Sequence, residues 1–266
     1  MQSHIKELEP VIKEAGDIVL KLESQINRAE HDSAFPSTEA DKAVSDFLYP
    51  RLKAIEDIPI LDEERTDDIA RLQAERIWIV DPIDGTKDLI EGTGEYVVMC
   101  AIVEDHKPVL SIMYQPKEDV LYYAEKGKGA YKVEGGNTTQ LSIQGSVQHV
   151  RMISSRFHES ETINQFALKL GVEKKVPRGS MGLKMASIAE GIAHVVVYFT
   201  DKTGEWDSAP GSLLITEAGG RVTDFRGADL MFNKPQPRNQ HGILAAHPGL
   251  HERALEVIEG IEYNFE

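Results

Sequence analysis

The fold can be worked out from the segment Trp78-Ile79-Val80-Asp81-Pro82-Ile83-Asp84-Gly85-Thr86-Lys87, where an apolar run leads straight into two aspartates. The apolar residues before Asp81 are typical of a buried strand. Pro82 restricts the backbone that follows Asp81, and Gly85 permits an abrupt turn. We therefore predict a rigid corner at the end of a strand, which aims the carboxylates of Asp81 and Asp84 at one point.

The same turn is expected to direct the backbone carbonyl of Ile83 outward. Two carboxylates and one carbonyl form a cluster of hard oxygen ligands, which is the type that Mg²⁺ prefers. If a helix begins at Gly85-Thr86, its free N–H groups face the same place and favour a phosphate. An ordinary surface turn is the alternative, because these residue types are common in turns. The rest of the sequence decides between the two.

Hydrophobic periodicity divides the chain into two parts. Spacings of three and four predict a helix over 5–22, interrupted or started at Pro10, and a second over 38–55 with Thr38 as its cap. Short strands are predicted at 58–61, 77–80, 96–103, 108–114, 120–124 and 130–133. After the polar stretch 134–148, strands at 150–154, 193–199, 221–225 and 243–246 alternate with helices at 159–170, 181–191, 207–218 and 250–258.

This order of elements predicts layered sheets covered by helices, an α+β or α/β fold. We expect an N-terminal α+β lobe over 1–148, which carries most of the candidate metal ligands. A C-terminal α/β lobe over 149–266 would supply the remaining ligand and the substrate contacts. The two lobes are expected to form one compact catalytic unit with a cleft between them.

The composition restricts the partners. The 266 residues carry 29 Lys and Arg against 44 Asp and Glu, a net charge of −15, which has the wrong sign for binding a nucleic acid polymer. A small anion remains acceptable if cations stand between it and the carboxylates. Cys100 is the single cysteine, so no intramolecular disulfide can form. Residues 1–10 do not show a basic segment followed by an apolar core, and no uncharged apolar stretch approaches the length of a membrane span, so we expect a cytoplasmic protein.

Further motifs accompany the corner in a fixed order. They are Thr38-Glu39-Ala40-Asp41, Glu63-Glu64, Trp206-Asp207 and Glu217-Ala218-Gly219-Gly220. With the Asp-Pro-Ile-Asp-Gly-Thr corner, they make the sequence resemble the inositol monophosphatase superfamily of metal-dependent, lithium-sensitive phosphatases over nearly the whole chain. The resemblance implies the αβαβα sandwich of the sugar phosphatases. Asp62 and Ser37 depart from the family pattern, but neither departure removes a ligand.

The resemblance also implies a set of metal ligands and catalytic residues. One Mg²⁺ would be held by Glu63, Asp81 and the Ile83 carbonyl, and a second by Asp81, Asp84 and Asp207. Asp41 and Thr86 would orient the attacking water, either alone or beside a third Mg²⁺, so two or three ions are expected. These five carboxylates total −5 and three Mg²⁺ would add +6, so the ions would turn a repulsive cleft into an attractive one.

Within the superfamily, the presence of Lys87 after the Asp-Gly-Thr motif makes the sequence resemble one branch in particular. That branch removes the 3′-phosphate from adenosine 3′,5′-bisphosphate. Gly94-Glu95, Ser154-Ser155-Arg156 and the run 179–184 resemble other motifs of that branch. The substrate-binding residues implied by these matches are Gly85, Thr86, Lys87, Ser155, Arg156, Ser180 and Lys184.

The sequence therefore predicts a Mg²⁺-dependent phosphomonoesterase that converts adenosine 3′,5′-bisphosphate to AMP and phosphate. The alternative is the same chemistry on inositol monophosphate or another sugar phosphate. A second alternative is a non-catalytic nucleotide or metal sensor that keeps the fold. The partner expected in each case is a small phosphorylated molecule, and a homodimer is left open.

Overall fold

The computed structural model describes residues 4–25, 35–157 and 160–263. The helices in these residues are α1 (Ile5–Glu23), α2 (Phe35–Ile55), α3 (Thr86–Glu91), α4 (Glu161–Leu170), α5 (Met181–Ala189), α6 (Glu205–Glu217) and α7 (Pro248–Glu259). The strands are β1 (Ile60–Asp62), β2 (Arg76–Asp84), β3 (Val97–Glu104), β4 (Lys107–Gln115), β5 (Val120–Glu125), β6 (Gly129–Glu134), β7 (Asn137–Leu141), β8 (Val150–Ser155), β9 (Val172–Arg178), β10 (Val195–Tyr198), β11 (Arg221–Thr223) and β12 (Ile243–Ala246).

The strands form two sheets. The first has seven strands in the order β1-β2-β3-β4-β5-β6-β7, and the second has five in the order β11-β12-β10-β8-β9. In the first sheet β1 and β2 are parallel and every later pair is antiparallel. In the second sheet β8 lies parallel to both β9 and β10. Candidate site residues follow the ends of β1, β8 and β9, so these parallel pairs matter for the site.

Alternation along the strands sorts the core into layers. Trp78 and Val80 of β2 face a core with α1 and α2, whereas Ile77 and Ile79 face the opposite core with α5 and α6. The second sheet covers the other side of α5 and α6, and its outer face packs on α4 and α7. The order helix, sheet, helix, sheet, helix confirms the predicted αβαβα sandwich.

Two strands escaped the sequence analysis. β7 lies within the stretch taken as a polar connection, and its first four residues are exposed. β9 lies at the edge of the second sheet, and none of its residues is fully buried. Neither strand carries the apolar pattern from which strands were predicted. The predicted cap at Thr38 was also wrong, because α2 begins three residues earlier, at Phe35.

The sequence analysis left open whether Pro10 starts or interrupts the first helix. Pro10 lies inside α1, so it does not mark the start of that helix. In the described residues no helix is both long enough and apolar enough to cross a bilayer. The division into lobes at residue 148 stays a prediction.

One buried histidine should make stability depend on pH. His251 of α7 is fully buried, and its Nε2 lies 2.9 Å from the Thr223 hydroxyl. Burial, with a smaller contribution from Arg221, lowers the pKa of His251 from 6.5 to about 4. The unfolded chain therefore binds the proton first as the pH falls, and the folded state loses stability between about pH 6.5 and pH 4.

We expect His251→Gln to remove this contribution. The stability of the wild type relative to the variant should decrease by about 2–3 kcal/mol between pH 7 and pH 4. Urea unfolding of both proteins across this range measures the difference. A constant difference would mean that His251 does not titrate at a lowered pKa.

Candidate active site

The Asp-Pro-Ile-Asp corner is a bulge in β2. Asp81 pairs with Met99 of β3 and Asp84 with Val97, so three residues on one strand span two on the other. Without the extra residue, side chains three positions apart would point to opposite faces of the sheet. Pro82 lies at the bulge, where a strand tolerates a missing N–H. The bulge thus brings Asp81 and Asp84 to the same face, towards α5 and α6.

Glu63 reaches the corner through the parallel pairing of β1 and β2. Asp62 lies opposite Val80, and the Glu63 N–H donates to the Val80 carbonyl at 3.3 Å. Glu63, which follows the end of β1, therefore lies beside the last residues of β2, where Asp81 stands. Asp62 itself points into the structure and accepts a hydrogen bond from the Ser45 hydroxyl at 2.8 Å. Asp62, the residue that departs from the family pattern, thus connects β1 to α2 through this hydrogen bond.

Asp84 is held by the first turn of α5. One carboxylate oxygen accepts from the Met181 N–H at 3.0 Å, and the other accepts from the Gly182 N–H at 2.6 Å and from the Ser180 hydroxyl. Ser180 also caps α5 by accepting from the Leu183 N–H. Ser180, predicted as a substrate contact, is thus already bound to Asp84, and α5 orients that aspartate.

Asp207 comes from the first turn of α6, where its carboxylate accepts from the Gly204 N–H. Acidic residues are favourable there, because free N–H groups and the helix dipole point towards them. The predicted start of this helix at Asp207 was late by two residues, since α6 begins at Glu205. Trp206, which precedes the predicted helix, thus lies inside α6 together with Asp207.

The three aspartates converge. One carboxylate oxygen from each of Asp81, Asp84 and Asp207 lies within 4.8 Å of the others. Both carboxylate oxygens of Asp81 are buried and have no hydrogen-bond partner. A buried carboxylate without a donor is unfavourable unless a cation balances it. The donor set is all oxygen, as hard divalent cations require, so these residues fit a divalent metal ion.

The electrostatics of the site agree with this interpretation. Burial, followed by the charges of Glu64, Asp41 and Asp84, raises the pKa of Glu63 from 4.5 to about 7. Burial and the neighbouring carboxylates also raise the pKa of Asp81 and of Asp207 well above the usual value. The pKa of Asp41 rises to about 7, chiefly through burial and then through Glu64. Several carboxylates thus lie so close together that their negative charges repel one another.

Thr86 and Ile83 also lie at the corner. Gly85 has a φ of 100°, in the left-handed region, and α3 begins directly after it, as expected if Gly85 makes the turn. The Thr86 hydroxyl donates to the Ile83 carbonyl at 3.2 Å. The hydroxyl expected to orient water and the carbonyl expected to bind metal are therefore neighbours.

A cavity of about 500 Å³ opens beside Asp84 and Asp207. Its walls include five of the seven predicted substrate residues, namely Gly85, Lys87, Ser155, Ser180 and Lys184. Thr86 and Arg156 do not line it. Arg156 instead forms an ion pair with Glu95, with an Nη2 to Oε2 distance of 2.6 Å.

Several cavity residues were missed by the sequence analysis. Tyr198, Phe199 and Phe157 contribute aromatic rings, and Lys202 adds a cation. The Tyr198 hydroxyl is buried without a hydrogen-bond partner, and burial raises its pKa well above the usual value. The Lys184 ammonium lies 5.7 Å from the centre of the Tyr198 ring. The only feature of the sequence that could have indicated these residues is their position at or shortly after the end of a strand.

Burial lowers the pKa of Lys184, although Asp84, Asp88 and other nearby acids oppose this effect. The ammonium of Lys87 lies 4.3 Å from the centre of the Phe157 ring. Both lysines therefore lie against aromatic rings in the cavity. The cavity thus has an acidic end at Asp84 and Asp207 and a wall that carries lysines and aromatic rings.

The acidic corner predicts a metal-dependent stability. Without a bound cation, the pKa values of Glu63 and Asp41, both about 7, lie above those in the unfolded chain, and the pKa values of Asp81 and Asp207 are raised as well. Their contribution to stability is therefore greatest at low pH and decreases as the pH rises through about 7. A bound cation reverses the loss. We expect 10 mM Mg²⁺ to raise the melting temperature more at pH 8 than at pH 5.5, as measured by differential scanning fluorimetry.

Asp81→Asn is the matched variant, because it removes one charge from a side chain that makes no hydrogen bond. It should lose most of the Mg²⁺-dependent increase. Glu252→Gln, on the exposed side of α7, should keep it. An equal increase in all three proteins would show that Mg²⁺ acts elsewhere.

A second network holds the start of α6. The Arg71 side chain is buried and pairs with Asp67, and it donates to the Asn233 side chain at 2.6 Å. The Asn233 N–H in turn donates to the buried Glu205 carboxylate at 2.6 Å. Glu205 lies two residues before Asp207. This chain of contacts joins the segment before β2 to the helix that supplies the third aspartate.

Removal of Arg71 should therefore be costly. We expect Arg71→Met to lower the free energy of unfolding by about 3 kcal/mol, because it leaves buried polar partners unpaired. Arg221→Met, which breaks an exposed pair with Glu252 at 3.6 Å, should cost less than about 1 kcal/mol. Urea denaturation of both variants gives the comparison. Similar losses would show that the Arg71 network adds little.

This fold and its acidic corner define a class, the phosphatases of the inositol monophosphatase type. The model of the inositol monophosphatase family matches residues 1–263, and the chain belongs to that family. The resemblance, the fold class and the prediction of a phosphatase enzyme are therefore confirmed. Use of a divalent metal follows from the family and fits the acidic cluster.

Curated and solved relatives agree with this assignment. The 3′(2′),5′-bisphosphate nucleotidase CysQ of Salmonella typhimurium is 35% identical over 227 residues, which cover 82% of this chain and 89% of that protein. The crystal structure of CysQ from Bacteroides thetaiotaomicron superposes with a TM-score of 0.79 at 28% identity, covering 93% and 98% of the two chains. That of inositol monophosphatase II from Staphylococcus aureus gives 0.79 at 25% identity, covering 96% and 92%.

Proposed function

We propose that the chain is a Mg²⁺-dependent phosphomonoesterase that hydrolyses the 3′-phosphate of adenosine 3′,5′-bisphosphate to give AMP and phosphate. The observation that carries the proposal is the convergence of Asp81, Asp84 and Asp207 beside a cavity large enough for a nucleotide. The 3′(2′),5′-bisphosphate nucleotidases among its relatives support the choice of substrate.

The acidic residues would hold the metal ions. Glu63, Asp81 and the Ile83 carbonyl would hold one Mg²⁺, and Asp81, Asp84 and Asp207 a second. When bound, Mg²⁺ supplies Lewis-acid stabilisation of charge on the phosphoryl group and lowers the pKa of water. The two buried, unpartnered oxygens of Asp81 support its place in both sets.

The remaining residues position the reactants. Asp41 and the Thr86 hydroxyl would orient the attacking water, and a carboxylate oxygen of Asp41 would accept its proton as the water oxygen bonds to phosphorus. The bond from phosphorus to the 3′-oxygen would break, and that oxygen would take up a proton from solvent to become the 3′-hydroxyl of AMP. The N–H groups of Gly85 and Thr86 would face the phosphate at the start of α3. Met181 and Gly182 keep Asp84 in place by donating to its carboxylate. No covalent intermediate on the protein is needed for this displacement.

The far wall of the cavity supports a nucleotide over a smaller ester. Phe157, Tyr198 and Phe199 offer aromatic surface, and Lys87 and Lys184 offer positive charge. A nucleoside has a planar base and, in this substrate, a second phosphate to bind there. Inositol monophosphate has neither feature. It remains the runner-up, because it needs the same chemistry at the acidic corner.

A non-catalytic sensor is the rival from another class. It would require the metal ligands without the groups that orient water. The charge of Asp41 acts on both Glu63 and Asp81, and the Thr86 hydroxyl donates to the Ile83 carbonyl, which supports a water-orienting pair and weighs against a sensor. A cytoplasmic location and a homodimer remain predictions.

The proposal is tested with Asp81→Asn. We expect kcat for adenosine 3′,5′-bisphosphate to decrease by roughly 10²–10³-fold or more, because electrostatic stabilisation of the transition state is lost. The fold should persist, since Asp81 makes no hydrogen bond in the protein. Phosphate release with Mg²⁺ and circular dichroism measure the two effects. Glu252→Gln serves as the control.

The substrate is tested in parallel. Wild-type kcat/KM should be higher for adenosine 3′,5′-bisphosphate than for inositol 1-phosphate, and lithium should inhibit turnover. A tenfold preference for inositol 1-phosphate would establish the runner-up. Binding of the nucleotide with no turnover in the wild type would favour the sensor.

A further inference from the structure

Glu95 lies where three segments with predicted substrate residues meet. It follows α3, in the short connection to β3, and its backbone packs against the Asp-Gly-Thr corner. A Cβ atom on Gly85 would lie 3.0 Å from the Glu95 carbonyl oxygen. The connection is itself fixed, because the Gln115 side chain donates to the Gly94 carbonyl at 2.9 Å. The Glu95 side chain therefore projects from a rigid base.

The Glu95 carboxylate joins the ends of two strands in the other sheet. One oxygen accepts from the Arg156 guanidinium at 2.6 Å and from the Gly179 N–H at 2.7 Å. The other lies 3.5 Å from the Arg178 guanidinium. Arg156 follows β8, whereas Arg178 ends β9 and Gly179 follows it. One carboxylate from the connection before β3 thus holds two neighbouring strand ends of the second sheet.

This pairing explains why Arg156 does not line the cavity. Its guanidinium is bound to Glu95, while Ser155 and Phe157 on either side of it face the cavity. The segment 155–157 is therefore anchored from behind by an ion pair. The Glu95 carboxylate is 15% exposed and the Arg156 side chain is 37% exposed, so solvent reaches the pair from the side of the arginine.

The two anchored segments differ in how much they depend on Glu95. Residues 180–182 are held independently, since each of them donates to Asp84. The segment 155–157 is joined to the corner side of the cavity by the ion pair of Arg156 with Glu95 and by the contact of the Phe157 ring with Lys87, and neither contact involves Asp84. Loss of Glu95 should therefore displace the wall at 155–157 and leave the metal ligands in place.

We propose that Glu95 is a positioning residue that acts through Arg156 to hold the segment 155–157 as the wall of the cavity remote from the scissile phosphate. It would thereby set the affinity for the part of the substrate that lies beyond the reacting group. This inference rests on the proposed phosphomonoesterase activity, and it adds the residue that supports recognition of the larger substrate.

The experiment compares a substrate that reaches the wall with one that does not. Adenosine 3′,5′-bisphosphate is the first, and glycerol 2-phosphate is the second. For Glu95→Ala we expect KM for the nucleotide to rise roughly tenfold, with kcat within about twofold, because binding remote from the reaction is weakened. The kcat/KM for glycerol 2-phosphate should stay within about twofold. Glu252→Ala is the matched surface control.

A double-mutant cycle tests whether Glu95 acts through Arg156. Arg156→Ala should raise KM for the nucleotide as Glu95→Ala does. The KM of the double variant should not exceed the higher of the two single-variant KM values. Glu95→Gln keeps one acceptor but loses the charge, and it should fall between wild type and Glu95→Ala. Additive effects in the cycle would overturn a route through Arg156.

Other outcomes separate this inference from the proposed function. Equal losses of kcat/KM on both substrates, or a large fall in kcat, would show a general structural role for Glu95. If the wild type does not hydrolyse the nucleotide, the proposed substrate is wrong. Binding of adenosine 3′,5′-bisphosphate to the wild type and to Glu95→Ala is then compared by calorimetry. Equal affinities of the two proteins would overturn the positioning role as well.

Discussion

Repulsion between buried carboxylates is the constraint around which this protein is organised. Asp81, Asp84 and Asp207 bring oxygens within 4.8 Å of one another, and Asp81 has no donor to balance its charge. Such an arrangement stabilises nothing by itself. It persists because the surrounding fold holds each residue separately. A divalent cation bound between the carboxylates would remove this repulsion, and the relief would favour its binding.

Different parts of the fold position the acidic residues. A bulge at Pro82 brings Asp81 and Asp84 to one face of β2. The first turn of α5 then orients Asp84, and the first turn of α6 carries Asp207. Both helices lie between the two sheets, so their amino ends can meet the strand end. The layered architecture is therefore what makes the acidic corner possible.

The cavity separates chemistry from recognition. Its acidic end carries the groups expected to bind metal, and its far wall carries lysines and aromatic rings. Because the net charge of the chain is −15, the lysines of this wall are a local exception. Glu95 belongs to neither end, yet it links the corner at Gly85 to the wall at 155–157. A substrate that spans the cavity would contact both ends.

The sequence by itself determined the corner, the order of the acidic motifs and most of the strands, because each leaves a local pattern of apolar residues, turns or charges. It could not reveal β7 and β9, which are polar or lie at an edge and so carry no burial pattern. Only the tertiary structure decided that Ser180 binds Asp84 and that Arg156 turns to Glu95. These contacts join residues that are far apart in the chain, and no local pattern encodes which charge finds which partner.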